Sequence, residues 1–201
     1  MQKSTSVHHG NLRAEIITTA QGLLDEEGIE AIGIRKVARI IGVAHSAPAN
    51  HFKNLKALLT ALAAEAYQEL SQTLDTAMEQ ASPDLRARVQ CFANAMLDYG
   101  LQYPNRYHLL WRKDCVNPDD EQLNQAMDHI YDRLLTVLEP HSSEAIDIES
   151  QAIALWSLIH GYVSLRLDGS LDRGTDAISG EDRSTAVLDV LINGLSGSQQ
   201  T

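Results

Sequence analysis

The sequence predicts an all-α protein of about nine helices, and three observations make the prediction. Apolar residues recur three and four positions apart through most of the 201 residues. The periodic segments are separated by Gly, Pro, Asn and Ser at the places where helices begin and end. A hydrophobic content of 44% in a chain of this length supplies material for one or two cores.

The elements follow in order. Asn11 is placed to cap a first helix whose stripe is Leu12, Ile16, Ala20, Leu23 and Leu24, with Gly28 just beyond its end. Ile34, Val37, Ala38 and Ile41 then share one face of a short second helix, while Arg35, Lys36 and Arg39 point elsewhere. Gly42 frees the backbone for a tight turn, and Val43 pins it to a third short helix over residues 45–52. Two short helices joined this way suggest a helix-turn-helix, whose second helix enters the major groove of DNA.

Asn54 caps a long fourth helix to about residue 81, with Leu55, Leu59, Leu62, Ala66, Leu70 and Met78 near one face. Ser82 and Pro83 read as the cap and first position of a fifth, which stops before Pro104. A sixth covers about residues 106–113, and a seventh starts at Asn117 and Pro118 with Leu123, Met127, Ile130, Leu134 and Leu138 aligned. The eighth runs over about residues 144–168. Ser179 with Asp182 resembles a capping box for the ninth, whose apolar face is Val187, Leu188, Leu191, Ile192 and Leu195. Between the last two lies a polar, glycine-containing loop, expected to be mobile, and the final residues are expected to be disordered.

Charge divides the chain. Residues 31–56 hold five Lys or Arg, two His and no carboxylate, although the formal net charge of the whole is −11. Residues 1–56 carry a net +2 and residues 57–201 a net −13, so a DNA-binding domain is expected over 1–56 and a second domain, for ligand binding and dimerisation, over 57–201.

Residues 8–59 resemble the DNA-binding domain of TetR-family transcriptional regulators. The resemblance rests on the Glu-Gly exit at Glu27 and Gly28, the R-x-V-A of Arg35 to Ala38, the I-G-V of Ile41 to Val43, and His51-Phe52 followed by Lys53. It implies a homodimer paired through the last two helices as a four-helix bundle, with Gly161, Val187, Leu188, Leu191, Ile192 and Leu195 at the interface. Pairing also makes physical sense, because two reading elements about 34 Å apart address one face of a palindrome. Base-edge contacts are expected from His45, Ser46 and Asn50, and phosphate contacts from Arg35, His51, Lys53 and Lys56. Family members usually place Thr or Ser at Gly33, Ser at Ala44 and Tyr at Ala49, so this chain lacks two caps and a phosphate contact at those positions.

Nine of the ten aromatic residues lie after residue 56, and five of them, Phe92, Tyr99, Tyr103, Tyr107 and Trp111, fall within twenty positions. With Met96, Met127, Tyr131, Trp156 and His160 they are the candidate lining of a small-molecule pocket. Trp156, His160 and Gly161 form a W-x3-H-G pattern that resembles the C-terminal domain of one TetR subgroup. Gly161 within a helix costs about 1 kcal/mol relative to Ala, which a closely approaching helix would offset.

No P-loop, G-x-G-x-x-G, H-E-x-x-H or G-x-S-x-G motif occurs, so neither an enzyme nor a cofactor is expected. Cys91 and Cys115 lack metal-site spacing, and His8-His9 and the His45/His51 pair lack a third ligand, so no metal site is expected either. No apolar run reaches membrane-spanning length and the N-terminus lacks a secretory h-region, which points to a cytoplasmic protein. The expected function is that of a ligand-responsive regulator, a repressor released from an operator in double-stranded DNA by a small-molecule effector. The rival is a helical ligand- or partner-binding protein that has lost specific DNA recognition, which Gly33, Ala44 and Ala49 motivate.

Overall fold

The computed structural model describes residues 12–140 and 147–193 in full and the backbone of 141 and 194–197. Among these the regular structure is helical: α1 (Leu12–Glu27), α2 (Ile34–Ile40), α3 (Leu55–Glu79), α4 (Leu85–Gln102), α5 (Pro104–Leu110), α6 (Glu121–Leu138), α7 (Ile148–Leu167) and α8 (Arg183–Gly197), with 3-10 turns at Ile29–Ala31, Ala47–Asn50 and Glu139–His141. The all-α prediction therefore holds. The Asn11 cap, the start of the eighth predicted helix near Glu144, the tail from 198 onward and the Leu195 side chain lie outside the described residues.

One predicted helix is corrected. Over 45–52 the chain forms a 3-10 turn, Ala47–Asn50, in place of an α-helix. Pro48 brings no N–H and biases Ala47 away from the α region. The first closures are accordingly tight, with Ala49 N–H donating to Ser46 O at 3.2 Å and His51 N–H to Pro48 O at 2.9 Å, before Phe52 N–H reaches Pro48 O at 2.8 Å.

Helices α4, α6 and α7 each begin on an aspartate. Asp84 accepts the Ala87 N–H at 2.9 Å, so α4 begins after Pro83 and Ser82 is not its cap. Asp120 accepts the Leu123 N–H at 3.0 Å, and α6 begins at Glu121 in place of Pro118. Asp147 accepts the Ser150 N–H at 3.0 Å at the head of α7. Before α8, Asp176 accepts the N–H groups of Ile178 and Ser179, and Gly180 turns the chain at φ 74°, so Ser179 serves a turn and not the helix. A carboxylate both accepts the bond and complements the positive end of the helix dipole, which a hydroxyl does less well. The loop expected to be mobile is tied by this turn, by a Thr175–Asp182 bridge and by Arg183 donating to Thr175 O at 2.6 Å.

The chain divides into two compact units, one made of the residues up to Tyr67 together with Asn105–Gln125, the other of Gln68–Pro104 with the residues from Ala126 onward. In the first, Ile16, Ile17, Ala20 and Leu24 of α1 are buried, as are Val37 and Ala38 of α2, Phe52, and Leu58, Leu59 and Leu62 of α3. Asp25 receives two bonds from Arg106, at 2.7 and 2.6 Å, and its backbone oxygen receives Asn105 at 3.1 Å. The buried Tyr67 hydroxyl donates to Leu110 O at 2.8 Å. In the second unit the core comes from Leu70, Leu74, Val89, Phe92, Met96, Ile130, Leu134, Leu155, Ile159 and Val163. Arg86 ties α4 to α8 through Asp189 at 2.8 and 2.7 Å, and that guanidinium holds the Asp189 carboxyl below its ordinary range.

Candidate nucleic-acid interface

The first unit builds a surface around the turn at Gly42. α2 buries Val37 and Ala38, which leaves Arg35 and Arg39 exposed on its other side. Gly42 takes φ 73°, a conformation unfavourable for other residues, and Val43 N–H closes onto Ala38 O at 3.0 Å. The 3-10 turn that follows is anchored from beneath by buried Pro48 and by Phe52, which is 3% exposed. The Arg13 guanidinium lies 5.3 Å from the centre of the Phe52 ring, fastening the end of the turn to α1. Sequence reasoning missed this role of Arg13, which only the fold brings to the ring.

Anchored in this way, the turn shows its polar residues outward. His45, Ser46, Asn50, His51, Lys53 and Lys56 are all exposed, as is Arg35. All seven residues predicted to touch DNA therefore lie at the surface of one unit. Among the described residues none of their side chains makes an internal hydrogen bond or ion pair. Lys36 differs: both carboxylate oxygens of Glu27 hold its ammonium at 2.8 Å. The expected missing cap is also visible, since Gly33 heads α2 without a side-chain bond, and Ser46 makes none at the turn.

The predicted pocket residues are distributed differently. Tyr107 and Trp111 belong to the first unit, their rings 5.8 Å apart and edge-on, with Tyr107 fully buried. Phe92, Met96 and Tyr99 are buried in the second unit, where Tyr103 stacks obliquely on Tyr99 at 5.3 Å. Met127, Tyr131, Trp156 and His160 are half-buried there, and burial lowers the His160 pKa from its ordinary 6.5. The second unit has a narrow cavity of about 20 Å³ and a wider one of about 290 Å³ between α4, α7 and α8, and none of the ten predicted residues lines either.

Of the predicted pairing residues, Leu188 and Ile192 are already buried within their own unit, which takes them off the surface. Val187 and Leu191 are half-buried. Ile153 and Leu165 on α7 and Val190 on α8 are 58%, 48% and 76% exposed, an apolar set that the sequence reading missed. Outside its own helix backbone, a Cβ on Gly161 would meet no atom of the described residues within 4 Å, so the helix expected to approach it is not supplied by them.

Comparison with known proteins then decides the family. The profile of the tetracyclin repressor-like C-terminal domain matches residues 89–191, just over half of the chain. The chain belongs to the TetR family of transcriptional regulators. It is 25% identical over 167 residues, 83% of its length and 75% of the relative's, to the uncharacterized HTH-type transcriptional regulator Rv0681 of Mycobacterium tuberculosis. A solved protein of unknown function from Rhodococcus sp. RHA1 superimposes with a TM-score of 0.78 at 25% identity, covering 96% of this chain and 98% of that one. The TetR-family regulator PfmR of Thermus thermophilus shares the fold, with a TM-score of 0.61 at 16% identity over 91% of this chain and 95% of its own. This TetR-family chain is thus a ligand-responsive, DNA-binding transcriptional regulator. Among the described residues no helix is long and apolar enough to cross a membrane.

Proposed function

We propose that this regulator is a repressor that binds a palindromic operator as a homodimer and is released by a small molecule. The observation that carries the DNA part is the carboxylate-free window 31–56, where seven polar or cationic residues are exposed and, among the described residues, internally unpartnered. In this reading residues 1–56 read DNA and residues 57–201 sense and pair. His45, Ser46 and Asn50 address base edges, while Arg35, His51, Lys53 and Lys56 address phosphates. The exposed Ile153, Leu165 and Val190, with the open face at Gly161, support pairing through α7 and α8. The aromatic set around Phe92, Tyr99, Trp156 and His160 is the candidate effector pocket, opened by side-chain movement. Effector coupling of roughly 1–3 kcal/mol suffices for a switch.

Fluorescence anisotropy against the DNA upstream of the protein's own gene tests the operator reading. Specific binding that Asn50→Ala abolishes supports it. Sequence-blind, salt-sensitive binding that Asn50→Ala leaves intact would favour the rival, a regulator-like protein without specific recognition, to which the short turn and the bare caps at Gly33 and Ser46 lend weight.

A further inference from the structure

The wider cavity of the second unit, about 290 Å³, shares no residue with the aromatic set. It stands at the small end of ligand pockets, roughly 300–1,000 Å³. Its charges do not cancel among themselves. Arg173 lies 3.5 Å from Asp182, and Arg183 donates to Thr175 O at 2.6 Å and sits 3.9 Å from Asp176. That accounts for two of the three arginines in the wall and one of its two aspartates. Arg166, in the last turn of α7, and Asp98, on α4, remain; among the described residues neither makes an ion pair or side-chain hydrogen bond, with each other or with anything else.

The cleft is open, with Asp98 exposed and Arg166 half-buried along it, and two opposite charges there that do not close on each other can be bridged by a ligand carrying both. A simple anion would gain Arg166 but face the Asp98 carboxylate, and a simple cation would meet the reverse penalty. Asn94, Tyr162 and Ser184 add an amide and two hydroxyls to the wall, and their side chains make no bond among the described residues. These groups can take up the remaining donors and acceptors of a polar ligand. The apolar cavity next to it, sharing Asn94, Leu97, Tyr162 and Ser184, is only about 20 Å³, close to the volume of one water, so it admits no bulky side chain.

We propose that this cleft binds a small zwitterion, an α-amino acid or a compound with the same two groups, with its carboxylate on Arg166 and its ammonium on Asp98. The site stands independently of operator recognition, and its test reads binding directly, so either can fail without the other.

Titration calorimetry on the full-length protein with each proteinogenic amino acid, at up to millimolar concentration, is the first measurement. The amino acid that binds is then compared with its decarboxylated amine and its deaminated acid. Each analogue is expected to bind about ten-fold or more weakly, because one charge-assisted bond is lost. Arg166→Gln should weaken the amino acid and the acid while leaving the amine equal or tighter, and Asp98→Asn should weaken the amino acid and the amine while leaving the acid equal or tighter. Both variants are checked for an unaltered thermal midpoint without ligand, and the crossed pattern is one that general unfolding cannot produce. The proposal is overturned if no amino acid binds, if the acid alone binds as tightly as the zwitterion, or if Asp98→Asn has no effect.

Discussion

The sharpest consequence of the interface concerns two lysines of equal formal charge. Lys53 is exposed and has no carboxylate partner among the described residues, whereas Lys36 is held by Glu27 at 2.8 Å through both oxygens. A cation that neutralises a phosphate releases counterions and adds about 0.9 to the slope of log affinity against log salt. Lys53→Gln removes one such cation per protomer, so a dimer's slope should become shallower by about 1.8. The neutral double exchange Glu27→Gln with Lys36→Gln deletes a pair already closed within the protein, and its slope should not change. Converted to affinity, the disadvantage of Lys53→Gln relative to the parent should shrink about ten-fold as salt rises from 50 to 200 mM. Anisotropy of a labelled upstream duplex at four or five salt concentrations reads both slopes. Equal slope changes in the two variants, or none in Lys53→Gln, would refute the placement of Lys53 at phosphate.

Three further outcomes are expected. Gly33 has extended dihedrals, φ −149° and ψ 134°, and a Cβ there would meet only the Lys36 Cβ at 4.0 Å, so Gly33→Thr should cap α2 and restrict the unfolded chain, for a gain of roughly 1 kcal/mol, or 2–4 °C in thermal midpoint. An unchanged midpoint would show that this helix end is not limited by its cap. Burial lowers the His160 pKa below its ordinary 6.5, so the unfolded chain takes up that proton first as pH falls; stability from this group is complete above pH 6.5 and is lost below it. His160→Gln should therefore flatten the fall of the urea midpoint on the acid side of pH 6.5, and an identical profile would refute the sign. Gly161→Ala should favour helix α7 by up to about 1 kcal/mol in the isolated chain yet weaken a dimer that packs on the open face at Gly161, read as a shift toward monomer in sedimentation. An equally tight dimer would remove α7 from the pairing surface.

Much of the fold was legible because its signals are local. The stripe Leu12, Ile16, Ala20, Leu23 and Leu24 placed α1, and the lone glycine at 42 placed the turn that the positive φ requires. The starts of α4, α6 and α8 are displaced because Ser82, Pro118 and Ser179 satisfy the usual cap rules, while in the fold Asp84 and Asp120 accept the N–H groups at the observed starts of α4 and α6, and Ser179 belongs to the turn that Asp176 closes. The third helix was misread for a related reason. Its place after the Gly42 turn predicts a second motif helix, yet Pro48 shortens the run to one 3-10 turn. The seven DNA-facing residues were visible as an acid-free window, whereas the lining of the cleft was not, since Asp98 and Arg166 stand far apart in sequence and carry no shared motif.

Sequence by itself determined that this chain is helical, that residues 31–56 hold no carboxylate, and that it resembles the TetR family, because periodicity, charge and short-range turn chemistry are properties of neighbours along the chain. The tertiary structure decided which of two nearby lysines is free and which is tied to Glu27. It also decided that Leu188 and Ile192 are buried in their own unit while Ile153 and Val190 remain outside, and that Arg166 faces a cavity in company with Asp98. Those are questions of pairing and burial between residues separated by many positions, and packing alone settles which partners meet.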